Sequence, residues 1–150
     1  MASVLYNEFK RANMAGEIDL NADDIRAKLL MSATTADTQN DGLVNVDDIT
    51  TLDVSDATGY ADVALGTETV TKIDATDRAK FSSDSVSGLV FSGLSTPATS
   101  NYVGILLYKY VSGLDSADLV IAFIEFTTPI AKEATQVTVP CPADGWFYLS

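Results

Sequence analysis

The residues with the sharpest chemical spacing lie in an acidic loop between positions 37 and 48. Counting from its first residue, side-chain oxygens fall at loop positions one, three, five, nine and twelve, on Asp37, Gln39, Asp41, Asn45 and Asp48. Glycine at loop position six permits a sharp turn. Calcium takes several oxygen ligands, and this spacing can wrap a loop around one ion. A calcium site and a solvated acidic loop are both consistent with the pattern. Gln39 and the strand-favouring residues after Asp48 favour the solvated loop.

Few of the groups that usually perform catalysis are present. The chain has no histidine, and Cys141 is its one cysteine, so it offers no histidine-based triad, no cysteine–histidine dyad and no cysteine zinc site. Three carboxylate pairs lie in turn-like segments: Asp23/Asp24, Asp47/Asp48 and Asp74/Asp77. Such pairs are more often solvated than arranged as the acid and base of a glycosidase. The sequence therefore predicts a protein that is not an enzyme and needs no cofactor.

Aromatic side chains are the remaining binding candidates. Trp146, Phe147 and Tyr148 are consecutive in the chain. Alternation would place Trp146 and Tyr148 on one face of a strand and Phe147 on the other, which favours packing in a core. If Tyr102, Trp146 or Tyr148 were exposed instead, they would form a carbohydrate-binding platform. Tyr60 is expected to anchor a loop to the sheet.

The charge balance restricts the classes of partner. The chain carries 21 acidic and 9 basic side chains, for a net charge of −12. Nucleic acids and anionic membranes are bound by cationic surfaces, so neither is an expected partner. An acidic protein is instead attracted to a locally basic protein surface.

Beyond residue 33 the sequence pattern is that of strands throughout. A further strand is predicted at Ile25–Met31, where apolar and polar residues alternate. The other predicted strands are Ile49–Val54, Tyr60–Leu65, Thr69–Asp74, Ala79–Ser82, Val86–Phe91, Tyr102–Val111, Leu119–Phe126, Gln136–Val139 and Trp146–Leu149. The continuous apolar runs after Tyr102 and Leu119 predict two central strands joined by a hairpin at 112–117. The fold class is all-β, an antiparallel β-sandwich of jelly-roll type with a short N-terminal helix or arm.

The N-terminal segment is predicted to stand apart from this sandwich. Residues 3–15 suit a helix with Ser3 as its cap and Gly16 as its stop, followed by a short strand at 17–20. One domain spans 1–150, with an arm at 1–16 and a sandwich at 17–150. The narrow apolar stripe predicts that the helix docks on a sheet edge or on a neighbouring subunit. As a docking arm it is expected to be removable, so that a chain without residues 1–15 folds but no longer binds its partner. The candidate docking residues are Leu5, Tyr6, Phe9, Lys10 and Arg11.

The ordered series of motifs resembles a group of small structural proteins of tailed bacteriophages, the head decoration, cement or minor virion proteins. The residues that carry the resemblance are Leu5-Tyr6-Asn7-Glu8-Phe9-Lys10, Gly16-Glu17-Ile18-Asp19-Leu20, Asp24-Ile25-Arg26-Ala27-Lys28-Leu29-Leu30, Asp48-Ile49, Thr58-Gly59-Tyr60, Val63-Ala64-Leu65, Leu107-Tyr108-Lys109 and Ile121-Ala122-Phe123-Ile124-Glu125-Phe126. The sequence departs from that group at Ala61-Asp62-Val63, where a threonine and a glycine pair are usual.

The resemblance implies a capsid decoration or cement subunit that binds and stabilises the shell of the major capsid protein. It also implies a homo-oligomer, often a trimer, located on the capsid surface of the virion. The alternative is a head or tail fibre module that binds a receptor or carbohydrate, with calcium as a stabilising ion. No catalytic residues are implied.

Overall fold

A computed structural model of the chain describes residues 3–32, 34–36, 42–49, 55–84, 87–95 and 97–149. Within these ranges lie one α-helix, two 3₁₀ turns (Val46–Asp48 and Asp74–Thr76) and ten strands. The helix and strands are β1 (Ser3–Leu5), α1 (Asn7–Met14), β2 (Ile25–Met31), β3 (Val63–Ala64), β4 (Thr69–Ile73), β5 (Arg78–Ser82), β6 (Leu89–Ser92), β7 (Tyr102–Lys109), β8 (Leu119–Ile130), β9 (Gln136–Val139) and β10 (Phe147–Leu149).

The largest sheet has the strand order β1-β8-β7-β2-β3, and every pairing in it is antiparallel. The prediction that β7 and β8 are central is confirmed, because each has a strand on either side. Gly104 on β7 is required where these two strands meet. A Cβ there would stand 2.5 Å from both Ile124 O and Phe123 Cε2. The two apolar strands therefore pack more closely than any side chain at position 104 allows.

One face of the large sheet is covered by two smaller antiparallel sheets, β10-β5-β4 and β6-β9, and by α1. The rings of Phe9 on α1 and Phe147 on β10 meet edge to face, with centroids 5.5 Å apart. The opposite face is covered by residues of segments 34–36 and 42–49, including Leu43 and Val46. The predicted all-β antiparallel sandwich with a short helix is confirmed.

The N-terminal segment differs from the prediction. Ser3–Leu5 is a strand that pairs with β8, with Leu5 opposite Ala122, and the helix begins only at Asn7. Phe9 and Ala12 are buried in the core of this same chain. Pairing with an existing strand satisfies the backbone of residues 3–5, and this outweighs their capacity for helix. The segment is therefore part of the sandwich and not a separate arm, and we now expect that removal of residues 1–15 would destabilise the fold.

Several strand limits also differ from the prediction. Residues 17–20 form no strand but lead into a turn, in which Ala22 N donates to Asp19 O. The strand predicted at 60–65 is reduced to Val63–Ala64. The one predicted at 49–54 begins with a bend at Ile49, and its residues 50–54 lie outside the described part of the chain. β2 and β9 have the predicted limits, and the remaining predicted strands are confirmed with shifted ends.

Candidate docking surface

A groove of about 530 Å³ runs beside the solvent-facing side of α1. It is lined by Leu5, Lys10, Asn13, Met14, Tyr148 and Leu149. Met14 is 88% exposed, the highest exposure among the large apolar side chains of the described residues. An exposed apolar groove with a cation on its rim is the kind of surface that binds another protein.

The periodicity of α1 forms one wall of the groove. Phe9 and Ala12 point into the core, so Lys10, Asn13 and Met14 are left on the other side of this eight-residue helix. The helix ends before Gly16, whose φ of +69° is the left-handed conformation that a C-terminal glycine adopts readily.

Two strand edges form the rest of the groove. Among the described residues β1 pairs only with β8, and β10 pairs only with β5, so each strand has one edge without a partner strand. Leu5 belongs to β1 and Leu149 to β10, and both line the groove. Unpaired edges offer backbone donors and acceptors to an incoming segment.

The predicted docking residues divide into two groups. Leu5 and Lys10 line the groove, and Lys10 Nζ faces solvent with a long 3.5 Å contact to Asn7 Oδ1. Tyr6 and Phe9 are 1% and 0% exposed, and the Tyr6 hydroxyl donates to Ala36 O at 2.6 Å. The prediction that Tyr6 and Phe9 belong to a docking surface is therefore wrong, because both side chains lie within this chain's own core.

Arg11 is exposed but already engaged. Its Nη2 lies 2.6 Å from carboxylate oxygens of both Glu8 and Glu17. The hydrogen bond from Arg11 lowers the pKa of Glu17 below its usual range. Arg11 thus ties the helix to the segment that follows it.

Basic side chains also surround Tyr148 at one end of the groove. The Arg78 guanidinium stands 5.5 Å from the centroid of the Tyr148 ring, and Lys80 is the cross-strand partner of Tyr148. Lys80 Nζ donates to Ala143 O at 3.3 Å. Asp144 lies near the same ring, and burial together with this carboxylate raises the pKa of the Tyr148 phenol. In a chain with a net charge of −12, this end of the groove is locally rich in cations.

A second cluster of titratable groups lies across β2, β7 and the segment before β3. The Asp62 carboxylate lies 2.7 Å from Lys28 Nζ and accepts hydrogen bonds of 2.7 Å from the Tyr60 and Tyr108 hydroxyls. Leu29 N donates to the Tyr60 hydroxyl at 2.9 Å, which confirms Tyr60 as the anchor between loop and sheet. Burial and the Asp62 carboxylate raise the pKa of both Tyr60 and Tyr108. Each side chain is held by another, so we interpret the cluster as a structural latch.

The predicted calcium loop is described only in part. Asp37, Gln39 and Asp41 lie outside the described residues. Asp48 Oδ2 accepts hydrogen bonds from Val44 N and Asn45 N, and Asn45 and Asp48 form a capping box on the 3₁₀ turn. These interactions give Asn45 and Asp48 a local structural role in turn formation. The part of the chain that the structure describes contains no group of three or more His, Cys, Asp or Glu residues able to hold a metal ion.

The exposed aromatic platform that a carbohydrate site needs is not present at two of its three predicted residues. Tyr102 and Trp146 are 0% and 3% exposed, and Trp146 Nε1 donates to Ser83 Oγ at 2.9 Å. Tyr148 is half-buried and lines the groove. The expectation that this aromatic cluster packs in the core is confirmed for Trp146 and Phe147, whereas Tyr148 is only partly buried.

Cys141 is half-buried, and burial raises the pKa of its thiol, which makes it a poor nucleophile at neutral pH. In the described residues, no helix is both long and apolar enough to cross a membrane.

Comparison with known proteins gives no relative: no protein-family model, no curated protein and no solved structure matches this chain.

Sequence reasoning missed Met14, Asn13 and Leu149 as lining residues of the groove. The helical period holds a signal for Met14, because this side chain falls opposite the apolar stripe of Phe9 and Ala12. No local pattern brings Leu149 to the helix, since that contact depends on how two sheets pack across the core.

Proposed function

We propose that this chain is a non-enzymatic structural subunit of a tailed-bacteriophage particle, a decoration or cement protein that binds the shell of the major capsid protein. The observation that carries the proposal is the apolar groove beside α1, which Leu5 lines and where Lys10 and Met14 are exposed to solvent. The motif series around Leu5-Tyr6-Asn7-Glu8-Phe9-Lys10 supports the assignment to phage structural proteins.

The groove is the surface through which this subunit meets its protein neighbours. Its wall is an integral helix and two paired strands, so little conformational entropy is lost when a neighbour docks. The net charge of −12 keeps the unassembled subunit soluble and away from packaged nucleic acid. Such a subunit is homo-oligomeric, a trimer by the resemblance, and is located on the capsid surface.

The experiment is co-sedimentation of the purified chain with phage heads that lack it. Because Met14 is 88% exposed, Met14→Glu should leave the fold intact while placing a charge in the groove. We expect the wild-type chain to pellet with the heads and the variant to bind at least about tenfold more weakly, since a buried unpaired charge costs more than 1.4 kcal/mol.

Val90→Glu is the matched control, because Val90 is an exposed strand residue that does not line the groove. It should bind as the wild-type chain does. If the wild-type chain and both variants bind equally, the groove is not the docking surface. If the wild-type chain itself does not bind, the proposed role on the phage head is wrong.

A further inference from the structure

A second exposed apolar feature lies at the tip of the hairpin between β7 and β8. Leu114 is 66% exposed and Val111 is 54% exposed, and the side chain of Asp115 next to Leu114 is 54% exposed. We call Val111, Leu114 and Asp115 the hairpin tip. It combines apolar side chains with a carboxylate, whereas the groove combines apolar side chains with Lys10.

The hairpin tip is held in shape before any partner arrives. Asp118 is 2% exposed, and its Oδ1 accepts hydrogen bonds from Val111 N at 2.7 Å and Ser112 N at 3.3 Å. Ala117 N donates to Leu114 O at 2.9 Å, and Lys28 Nζ stands 3.5 Å from Asp115 Oδ1. A loop fixed in this way loses little entropy when its tip is buried.

We infer that the groove of one copy of this chain receives the hairpin tip of a second copy, with Leu114 against Met14 and Leu149 and with Asp115 near Lys10. The inference deepens the proposed function and rests on it only in treating the groove as a docking surface. Charge complementarity supports a second copy as the occupant: the described residues that line the groove include the cation Lys10 and no carboxylate, and the tip carries the carboxylate of Asp115.

The same charges determine the symmetry of the contact. Two grooves facing each other across a two-fold axis would bring their Lys10 and Arg78 side chains together, which is unfavourable. A one-way tip-to-groove contact uses two different surfaces and is heterologous, so its repetition builds a closed ring or an open chain, whereas two such contacts made reciprocally across a two-fold axis give a dimer. The inference therefore predicts self-association through the tip and the groove, and not a dimer in which two grooves face each other.

Sedimentation velocity of the full chain, from 1 to 100 µM at low and high salt, tests this. The wild-type chain should form a species of at least twice the 15.9 kDa chain mass. High salt should weaken it about tenfold, because the contact includes charges at its rim. Met14→Glu in the groove and Leu114→Glu in the tip should each be monomeric at 100 µM, whereas Val90→Glu should assemble as the wild-type chain does.

An equimolar mixture of the two monomeric variants is the decisive arm. The tip of the Met14→Glu chain is intact, and so is the groove of the Leu114→Glu chain, so one contact can form. The mixture should give a one-to-one dimer that grows no further. Any of three results would overturn the inference: the wild-type chain is monomeric, both variants still form the oligomer, or the mixture stays monomeric. If the wild-type chain is monomeric but Met14→Glu still loses binding to heads, the groove docks the shell directly and only the proposed function stands.

Discussion

Lys28 Nζ lies 2.7 Å from Asp62 Oδ2, and this ion pair joins β2 to the segment that precedes β3. The two side chains are 10% and 19% exposed, so the pair is largely shielded from water. Asp62 also accepts hydrogen bonds from Tyr60 and Tyr108 and is thus the centre of the latch.

Asp62→Asn should destabilise the fold by about 2 kcal/mol, because it leaves the largely buried Lys28 ammonium with only the more distant and exposed Asp115 carboxylate as a counter-charge. The measurement is the free energy of unfolding in urea at neutral pH. Asp74→Asn is the matched control, since the Lys72–Asp74 pair is 83% and 78% exposed and should contribute nothing measurable. Equal stability of the two variants would show that the latch does not stabilise the fold.

The raised pKa values of Tyr60 and Tyr108 predict a link between their ionisation and unfolding. Both phenols have a folded-state pKa above the ordinary value of about 10, so the stability they contribute is present below that pH and is lost as the pH rises. Absorbance at 295 nm should show that at least two of the six tyrosines ionise only when the circular dichroism signal of the sheet is lost. Ionisation of all six before unfolding would contradict the burial of these hydroxyls.

The Asp56 carboxyl should make the stability of the fold depend on pH with the opposite sign. Hydrogen bonds from Thr99 Oγ1 and Thr99 N lower the pKa of the Asp56 carboxyl, so its contribution to stability is present above the unfolded-state pKa and is lost as the pH falls. Thr99→Val removes the hydroxyl donor and should lower the urea midpoint at pH 7 but change it less at pH 3. Thr71→Val, on an exposed strand position, should shift the midpoint equally at both pH values.

Gly104→Ala should destabilise the fold by about 2 kcal/mol or more, because the new methyl group would overlap Ile124 O and the Phe123 ring. The measurement is the thermal midpoint. Gly113→Ala in the hairpin is the matched control, since the nearest atom to its new Cβ is 4.0 Å away. A midpoint for Gly104→Ala equal to that of the control would contradict the close packing of β7 on β8.

A strand could be predicted wherever its own residues show a strand pattern, either alternation of apolar and polar residues or a continuous apolar run. Alternation identified β2, and continuous apolar runs identified β7 and β8 as central strands. The N-terminal residues could not be predicted in this way, since Ser3–Leu5 is a strand only because β8 offers it an edge. Local propensity does not include that partner.

The candidate site was predicted in part for the same reason. Leu5 and Lys10 were expected on a docking surface, and both line the groove. Tyr6 and Phe9 were assigned to it because a narrow apolar stripe on a helix without a helical partner indicates a contact with a neighbouring molecule. The stripe instead meets the chain's own sheets, and Phe9 packs on Phe147, which is 138 positions away in the sequence.

Electron cryomicroscopy of the phage particle that the proposed function implies tests the central claim most directly. We predict density for this β-sandwich on the outer surface of the head, with the groove around Met14 covered by a protein neighbour. Absence of the chain from the particle, or a groove that faces open solvent in every copy, would contradict the account.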